Sequence, residues 1–234
     1  MPTRENIARV RDRIAAAAIR AKRNPTGISL MAVTKTVAPQ QIREAYEAGI
    51  RLFGENRVQE FAAKSEHLRS SPDTEWHMIG HLQSNKAAKA AELFGFVDSV
   101  DSIHLARKLN GAALQLGKQI PILIEINVGG EAAKDGLAPD SAELQEILHA
   151  APEFTSLEFR GLLTVPPYRE NPEHSRSYFQ HMGKLFRDIA DRKFANINMN
   201  VLSMGMSHDF EIAIEEGATC VRIGTAIFGE RVMR

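Results

Sequence analysis

The 234-residue chain is 44% hydrophobic and 25% charged, long enough to bury a core without disulfides. Its 29 Lys and Arg balance 29 Asp and Glu, so no net field draws it to nucleic acid or to an acidic membrane. A single cysteine, Cys220, excludes an intrachain disulfide, and no apolar run nears the roughly 18 residues of a membrane span, so a soluble, cytoplasmic protein is expected.

The chain opens on a helix over about 4–22, where Ile7, Val10, Ile14, Ala17 and Ala18 form an apolar stripe. Asn24-Pro25-Thr26-Gly27 stops it. One unit then recurs: a short apolar run, a small polar loop and an amphipathic helix. The runs lie at 28–33, 51–53, 76–79, 96–100, 120–128, 157–165, 199–202 and 220–223. Helices at 39–48, 57–68, 85–94, 103–117, 140–151, 173–193 and 209–217 separate them. Strands alternating with helices pair in parallel, because each crossover returns the chain to the same edge. Eight such units in one domain over 1–234 predict a closed (β/α)8 TIM barrel, with the extra N-terminal helix plugging or flanking its bottom. An open doubly wound sheet is the structural alternative. No linker, low-complexity tract or second domain interrupts the pattern.

In such a barrel the chemistry sits just beyond the strand ends. The first run ends at Thr34-Lys35-Thr36. Lys35 is either a solvated strand-end lysine or, desolvated in a pocket, a free amine able to form a Schiff base. The loops after strands 7 and 8 are the usual phosphate site of this fold. Here Gly205 and Gly224 let backbone N–H groups approach an anion, and Ser203, Ser207 and Thr225 add hydroxyls. Thr225-Ala226-Ile227-Phe228 can open a short helix whose N-terminus favours negative charge. Alternatively, Ser207 caps the helix starting near Asp209. Arg222, inside strand 8, either lines the barrel mouth or pairs with a core carboxylate. Trp76 and His77 read as core or rim packing; His81, at the end of strand 3, is a weaker ligand candidate. Met204 and Met206 read as gap fillers. No His/Cys/Asp set has metal-ligand spacing, so no metal is expected, and there is no P-loop or dinucleotide fingerprint.

Five segments together resemble the YggS-like pyridoxal 5′-phosphate (PLP) homeostasis family. They are Ala32-Val33-Thr34-Lys35, the run from Phe53 to Glu60 (FGENRVQE), the run from Trp76 to Lys86 (WHMIGHLQSNK), the run from Leu202 to Asp209 (LSMGMSHD) and the run from Val221 to Gly229 (VRIGTAIFG). They span nearly the whole chain in the family's order. The resemblance implies a fold-type III PLP barrel like the N-terminal domain of alanine racemase. It implies that Lys35 carries PLP as a Schiff base, that Arg222 faces the pyridine nitrogen, and that Ser203, Gly224 and Thr225 cradle the phosphate. Asn56 and Met204 fall where the family's cofactor pocket lies, and Ser207 lies beside them. The family's Asn-Ile-Ser-Gly-Glu-Glu-Ser-Lys-Ser-Gly after strand 5 is here Asn127-Val128-Gly129-Gly130-Glu131-Ala132-Ala133-Lys134-Asp135-Gly136, which loses two hydroxyls.

The function implied is cofactor buffering or delivery, affecting amino-acid and keto-acid balance without efficient catalysis. No catalytic residue is assigned, PLP-dependent apo-enzymes are the expected partners, and the chain is expected to be a monomer. An arginine facing the pyridine nitrogen cannot stabilise a pyridinium, which weakens the ring as an electron sink. The competing reading is a PLP-dependent amino-acid racemase. A racemase needs acid/base groups on both faces of the α-carbon, and alanine racemase-like enzymes take one from a separate domain. With Arg234 nine residues after Thr225, that domain is not expected here. A barrel enzyme acting on a phosphorylated metabolite is a third reading; it would carry no lysine-bound chromophore.

Overall fold

In the computed structural model, which describes residues 2–68, 73–131 and 133–230, each apolar run becomes one strand. The strands are β1 (Ser29–Val33), β2 (Leu52–Glu55), β3 (Glu75–Met78), β4 (Phe96–Val100), β5 (Ile120–Glu125), β6 (Leu157–Leu163), β7 (Ile197–Ser203) and β8 (Cys220–Ile223). All pair in parallel in chain order, and β8 closes on β1 with Ser29 opposite Cys220 and Ala32 opposite Ile223. That closure rules out the open sheet and leaves no strand edge to protect.

The helices are α1 (Pro2–Arg20), α2 (Pro39–Glu47), α3 (Val58–Ser65), α4 (Ala87–Leu93), α5 (Ile103–Gln115), α6 (Ala142–Ala150), α7 (Arg176–Asp191), α8 (Phe210–Glu215) and α9 (Thr225–Phe228). Local chemistry starts several of them. Ser102 Oγ accepts from Leu105 N, and Ser141 Oγ from Leu144 N, both at 3.2 Å, capping α5 and α6.

The first helix flanks the barrel rather than plugging it. The helix after β8, α9, is a single turn, and α1 fills the outer ring instead, lying along α8 and α9 with its edge on α2. Its stripe of Ile7, Val10, Ile14, Ala17 and Ala18 is buried. Each of the larger side chains contributes about 1.5–3 kcal/mol of apolar burial. Polar ties fix the docking: Asn6 Nδ2 donates to Ile227 O at 2.8 Å, and Arg13 and Arg20 pair with Glu211 and Glu215 at 2.9 Å.

Strand boundaries differ from the sequence reading by two residues or more at four places, one of them β6, which ends at Leu163 rather than 165. β2 runs on through Gly54 to Glu55, β7 begins two residues earlier, and β5 stops at Glu125 rather than 128. Beyond it Ile126 makes only an isolated bridge to Leu137. In β6, Gly161 has φ +151°, and a Cβ there would lie 1.8 Å from Val201 O. The β6–β7 register shifts at this point, so the pairing requires glycine.

The lower barrel interior holds a charged cluster around His77. His77 of β3 places Nδ1 2.8 Å from Asp98 Oδ1 on β4 and Nε2 2.8 Å from Glu75 Oε1, and stacks on Phe96. Burial opposes the imidazolium, but Asp98 and Glu75 outweigh it and raise the His77 pKa to about 9.

Candidate functional site

A cavity of about 470 Å³ opens at the C-terminal ends of the strands. Three features converge on it: Lys35 from the turn after β1, Arg222 from β8, and the corner made by Ser207, Gly224 and Thr225.

The turn that carries Lys35 is tied down from both sides. Thr34, fully buried, donates from Oγ1 to Glu55 Oε1 at 2.7 Å. Thr36 has φ +62°, a left-handed backbone that β-branched residues rarely adopt, and its N–H donates to Glu60 Oε1. Lys64 of α3 joins these elements, donating to Thr34 O at 2.8 Å, Glu55 Oε1 at 3.0 Å and Glu60 Oε1 at 2.6 Å. Burial pushes the Glu55 carboxyl up, against the pull of Thr34 and Lys64. Lys35 is left half-buried, facing the cavity.

Arg222 is 4% exposed and braced rather than salt-bridged. Nη1 donates to Ser203 Oγ and Nη2 to Thr164 O, both at 2.8 Å. Burial lowers its pKa, while Asp98, Glu125 and Asp209 support its charge. The carboxylate partner weighed from sequence is thus replaced by a hydroxyl and a carbonyl in direct contact, with acidic groups at longer range.

At the corner, Gly224 precedes α9, whose N-terminal turn begins at Thr225. Ser207 Oγ accepts from Ala226 N at 3.2 Å, so Ser207 caps this turn and not α8. Asp209 holds the preceding loop by accepting from Met206 N at 2.7 Å. Gly205, at φ +92°, lies against α8, where a Cβ would come 2.6 Å from the Ala213 Cβ. It serves the chain turn and does not line the cavity.

Of the residues singled out in the sequence, Lys35, Asn56, Ser207, Arg222, Gly224 and Thr225 line this one cavity, as do His81 and Met206. Ser203 and Met204 do not; both are fully buried beneath it, and Ser203 supports Arg222. The sequence reading missed Glu125, Thr164 and Lys64. Glu125 would have been found had strand 5 been ended at the charge, since a carboxyl closing an apolar run sits where barrel sites are built. Lys64, one of many helix-surface lysines by pattern, gave no signal.

Glu125 is the most unusual of these. It lines the cavity, 9% exposed, and its Oε2 has no hydrogen-bond partner among the described residues. Burial raises its pKa to about 7; Arg222 pulls down, Asp101 and Asp135 push up. Nearby, loops after β3, β4 and β5 gather His81, Asp101 and Asp135, with His81 Nδ1 3.0 Å from Asp101 Oδ2 and 3.2 Å from Asp135 Oδ1. Residues far apart in sequence make this cluster, so spacing could not reveal it.

Residues 4–232 match the alanine racemase N-terminal domain family, the class of parallel barrel that the fold and strand-end cavity define. Alanine racemase of Streptomyces coelicolor A3(2) shares that fold, with a TM-score of 0.68 at 20% identity over 96% of this chain and 58% of its own. The chain belongs to the pyridoxal phosphate homeostasis protein family. It is 45% identical to the member from Aquifex aeolicus over 97% of both chains. PipY of Synechococcus elongatus PCC7942, solved with PLP bound, superposes with a TM-score of 0.81 at 36% identity, covering 94% of this chain and all of PipY.

Proposed function

We propose that this protein holds PLP on Lys35 and serves as a reservoir or carrier of the cofactor for PLP-dependent apo-enzymes, without efficient catalysis of its own. The observation that carries the reading is the convergence of an amine, a buried guanidinium and a hydroxyl-lined helix turn on one cavity. Its volume lies within the roughly 300–1,000 Å³ of small-ligand sites. When bound, PLP supplies an aldehyde that condenses with a primary amine.

Lys35 is the amine, presented by a turn fixed through Lys64 and Glu60. Arg222 faces the pyridine nitrogen and offers it only donors, since guanidinium stays protonated. Ser207, Gly224 and Thr225 hold the phosphate, and Ser203 acts on the site through Arg222. Asn56 forms part of the opposite wall. Arg222 rather than an acid at the ring nitrogen makes the ring a weaker electron sink for an α-carbanion, without by itself forbidding racemisation. We take it to act as a cytoplasmic monomer.

The test is the visible spectrum of the purified protein loaded with PLP. An imine chromophore and, after borohydride, a pyridoxyl group on the Lys35 peptide are expected; Lys35→Ala should lose both and keep its fold. A pyridoxyl group on Lys86 or Lys134 would reject the assignment. L-Amino acids in heavy water should exchange their α-protons slowly. Rapid exchange abolished by Lys35→Ala would make the protein an enzyme.

A further inference from the structure

Glu125 is not explained by the roles above. It closes β5 and lines the cavity, more than nine-tenths buried, with Oε2 unpartnered among the described residues. Its surroundings decide its charge state. Arg222, on β8, favours an anion, but its Nη1 and Nη2 are already engaged with Ser203 and Thr164. Asp101 after β4 and Asp135 after β5 both disfavour a further negative charge, and His81 after β3 lies between those two carboxylates. Lys134, which lines the same cavity, donates to Pro166 O at 3.2 Å and pairs with Glu131. A buried charge with an unsatisfied oxygen is costly, whereas a neutral acid in the same place carries one hydrogen-bond donor.

The ligand of the proposed function, on which this inference rests, brings its own negative charge. Its phosphate belongs to the Ser207–Thr225 corner and its aldehyde to Lys35, which leaves the phenolic oxygen of the ring as the remaining anionic acceptor. A carboxylate beside that oxygen would repel it. A carboxylic acid would bond to it, and a charge-assisted bond of this kind is about twice as strong as a neutral one.

We propose that Glu125 binds the cofactor as a neutral carboxylic acid, donating its hydrogen bond to the phenolic oxygen, so that loading places one proton on this side chain beyond whatever the ligand's own groups take up or release. The proton stays on Glu125 in the complex and no bond to it is transferred. Below about pH 7 the acid is already protonated and loading adds little proton to it; above it, each complex must place a proton on Glu125, which the Glu125→Gln protein does not.

Pyridoxine 5′-phosphate is the probe, because it keeps the ring, phenol and phosphate but has no aldehyde to condense with Lys35. Its affinity for the full chain is measured from pH 6 to 9 by calorimetry in two buffers of different ionisation heat, for wild type and Glu125→Gln. Wild type should lose affinity relative to Glu125→Gln by about tenfold per pH unit above 7 and take up close to one more proton at pH 8. Parallel profiles with equal proton counts overturn the proposal, as does a folded Glu125→Gln that binds more weakly at pH 6 by 100-fold or more. Infrared difference spectra of the wild type need no variant. A protonated-carboxyl carbonyl band present in the loaded protein at pH 8 supports the proposal, and its absence overturns it. If neither this probe nor PLP binds wild type at any pH, it is the PLP reading that fails.

Discussion

At the scale of single residues, the site divides into side chains that line the cavity and side chains that aim them. Thr225 is of the first kind. It lines the cavity at the first position of α9, beside the backbone turn capped by Ser207. Thr225→Val keeps the shape and removes one hydrogen bond to a charged acceptor, worth about 1.5–3 kcal/mol. PLP affinity should therefore fall roughly 10- to 100-fold, measured by titration of the imine absorbance. Pyridoxal, which lacks the phosphate, should bind Thr225→Val and wild type alike. Equal affinity of wild type for PLP and pyridoxal would remove the phosphate from this corner. Ser203 is of the second kind, since its hydroxyl oxygen is taken by Arg222 beneath the cavity. A serine motif after strand 7 marks the right loop in the sequence, yet only the contacts show which of its two serines lines the cavity.

Among elements, the coupling of β1, β2 and α3 controls how Lys35 is presented. Lys64 reaches from α3 to the backbone of Thr34 and to two carboxylates, and its side chain is 12% exposed against fully buried Glu55. Removing one partner of a buried ion pair costs about 3–5 kcal/mol, because the other charge stays behind. Lys64→Met should accordingly lower the unfolding free energy by about 3 kcal/mol in urea titrations and weaken PLP binding as the Lys35 turn loosens. Glu55→Gln in the same chain should recover part of the stability; strict additivity of the two changes would show that the pair is not coupled. This network explains a limit of pattern reading. The 3.6-residue period identifies α3, but period alone treats Lys64 as one more solvated lysine, and the neighbour that makes it different comes from another strand.

Across the whole molecule, the barrel carries charge inside as well as at its mouth, and that sets its response to pH. His77 has a folded-state pKa of about 9 against an ordinary 6.5: burial works against the charge, but Asp98 and Glu75 prevail. A pKa raised on folding stabilises fully below about 6.5, and the contribution, on the order of 3 kcal/mol, is lost as pH rises through 9. Burial likewise pushes the Cys220 thiol up to about 12, so its ionisation in the unfolded chain above about 8.5 takes stability in the same direction. Thermal melts should show Tm falling steadily from pH 6.5 to 9. His77→Gln should start lower and remain nearly flat over that range. A wild-type melting temperature that rises between pH 7 and 9 would contradict a charged His77–Asp98 pair.

The sequence by itself determined the eight βα units, the strand-end positions of Lys35 and Thr225, and the glycines and hydroxyls of the last two loops. Those are local matters, fixed by hydrophobic period, turn chemistry and short motifs that act over a few residues. The family likeness, carried by five such motifs, added the cofactor. Closure of β8 onto β1, the place of α1 in the outer ring, the bracing of Arg222 by Ser203 and Thr164, and the burial of Glu125 with one oxygen unpaired were decided only by tertiary structure. Each depends on which distant segments share a face or an interior. A side chain's charge and partners follow from that enclosure, which no pattern along the chain records.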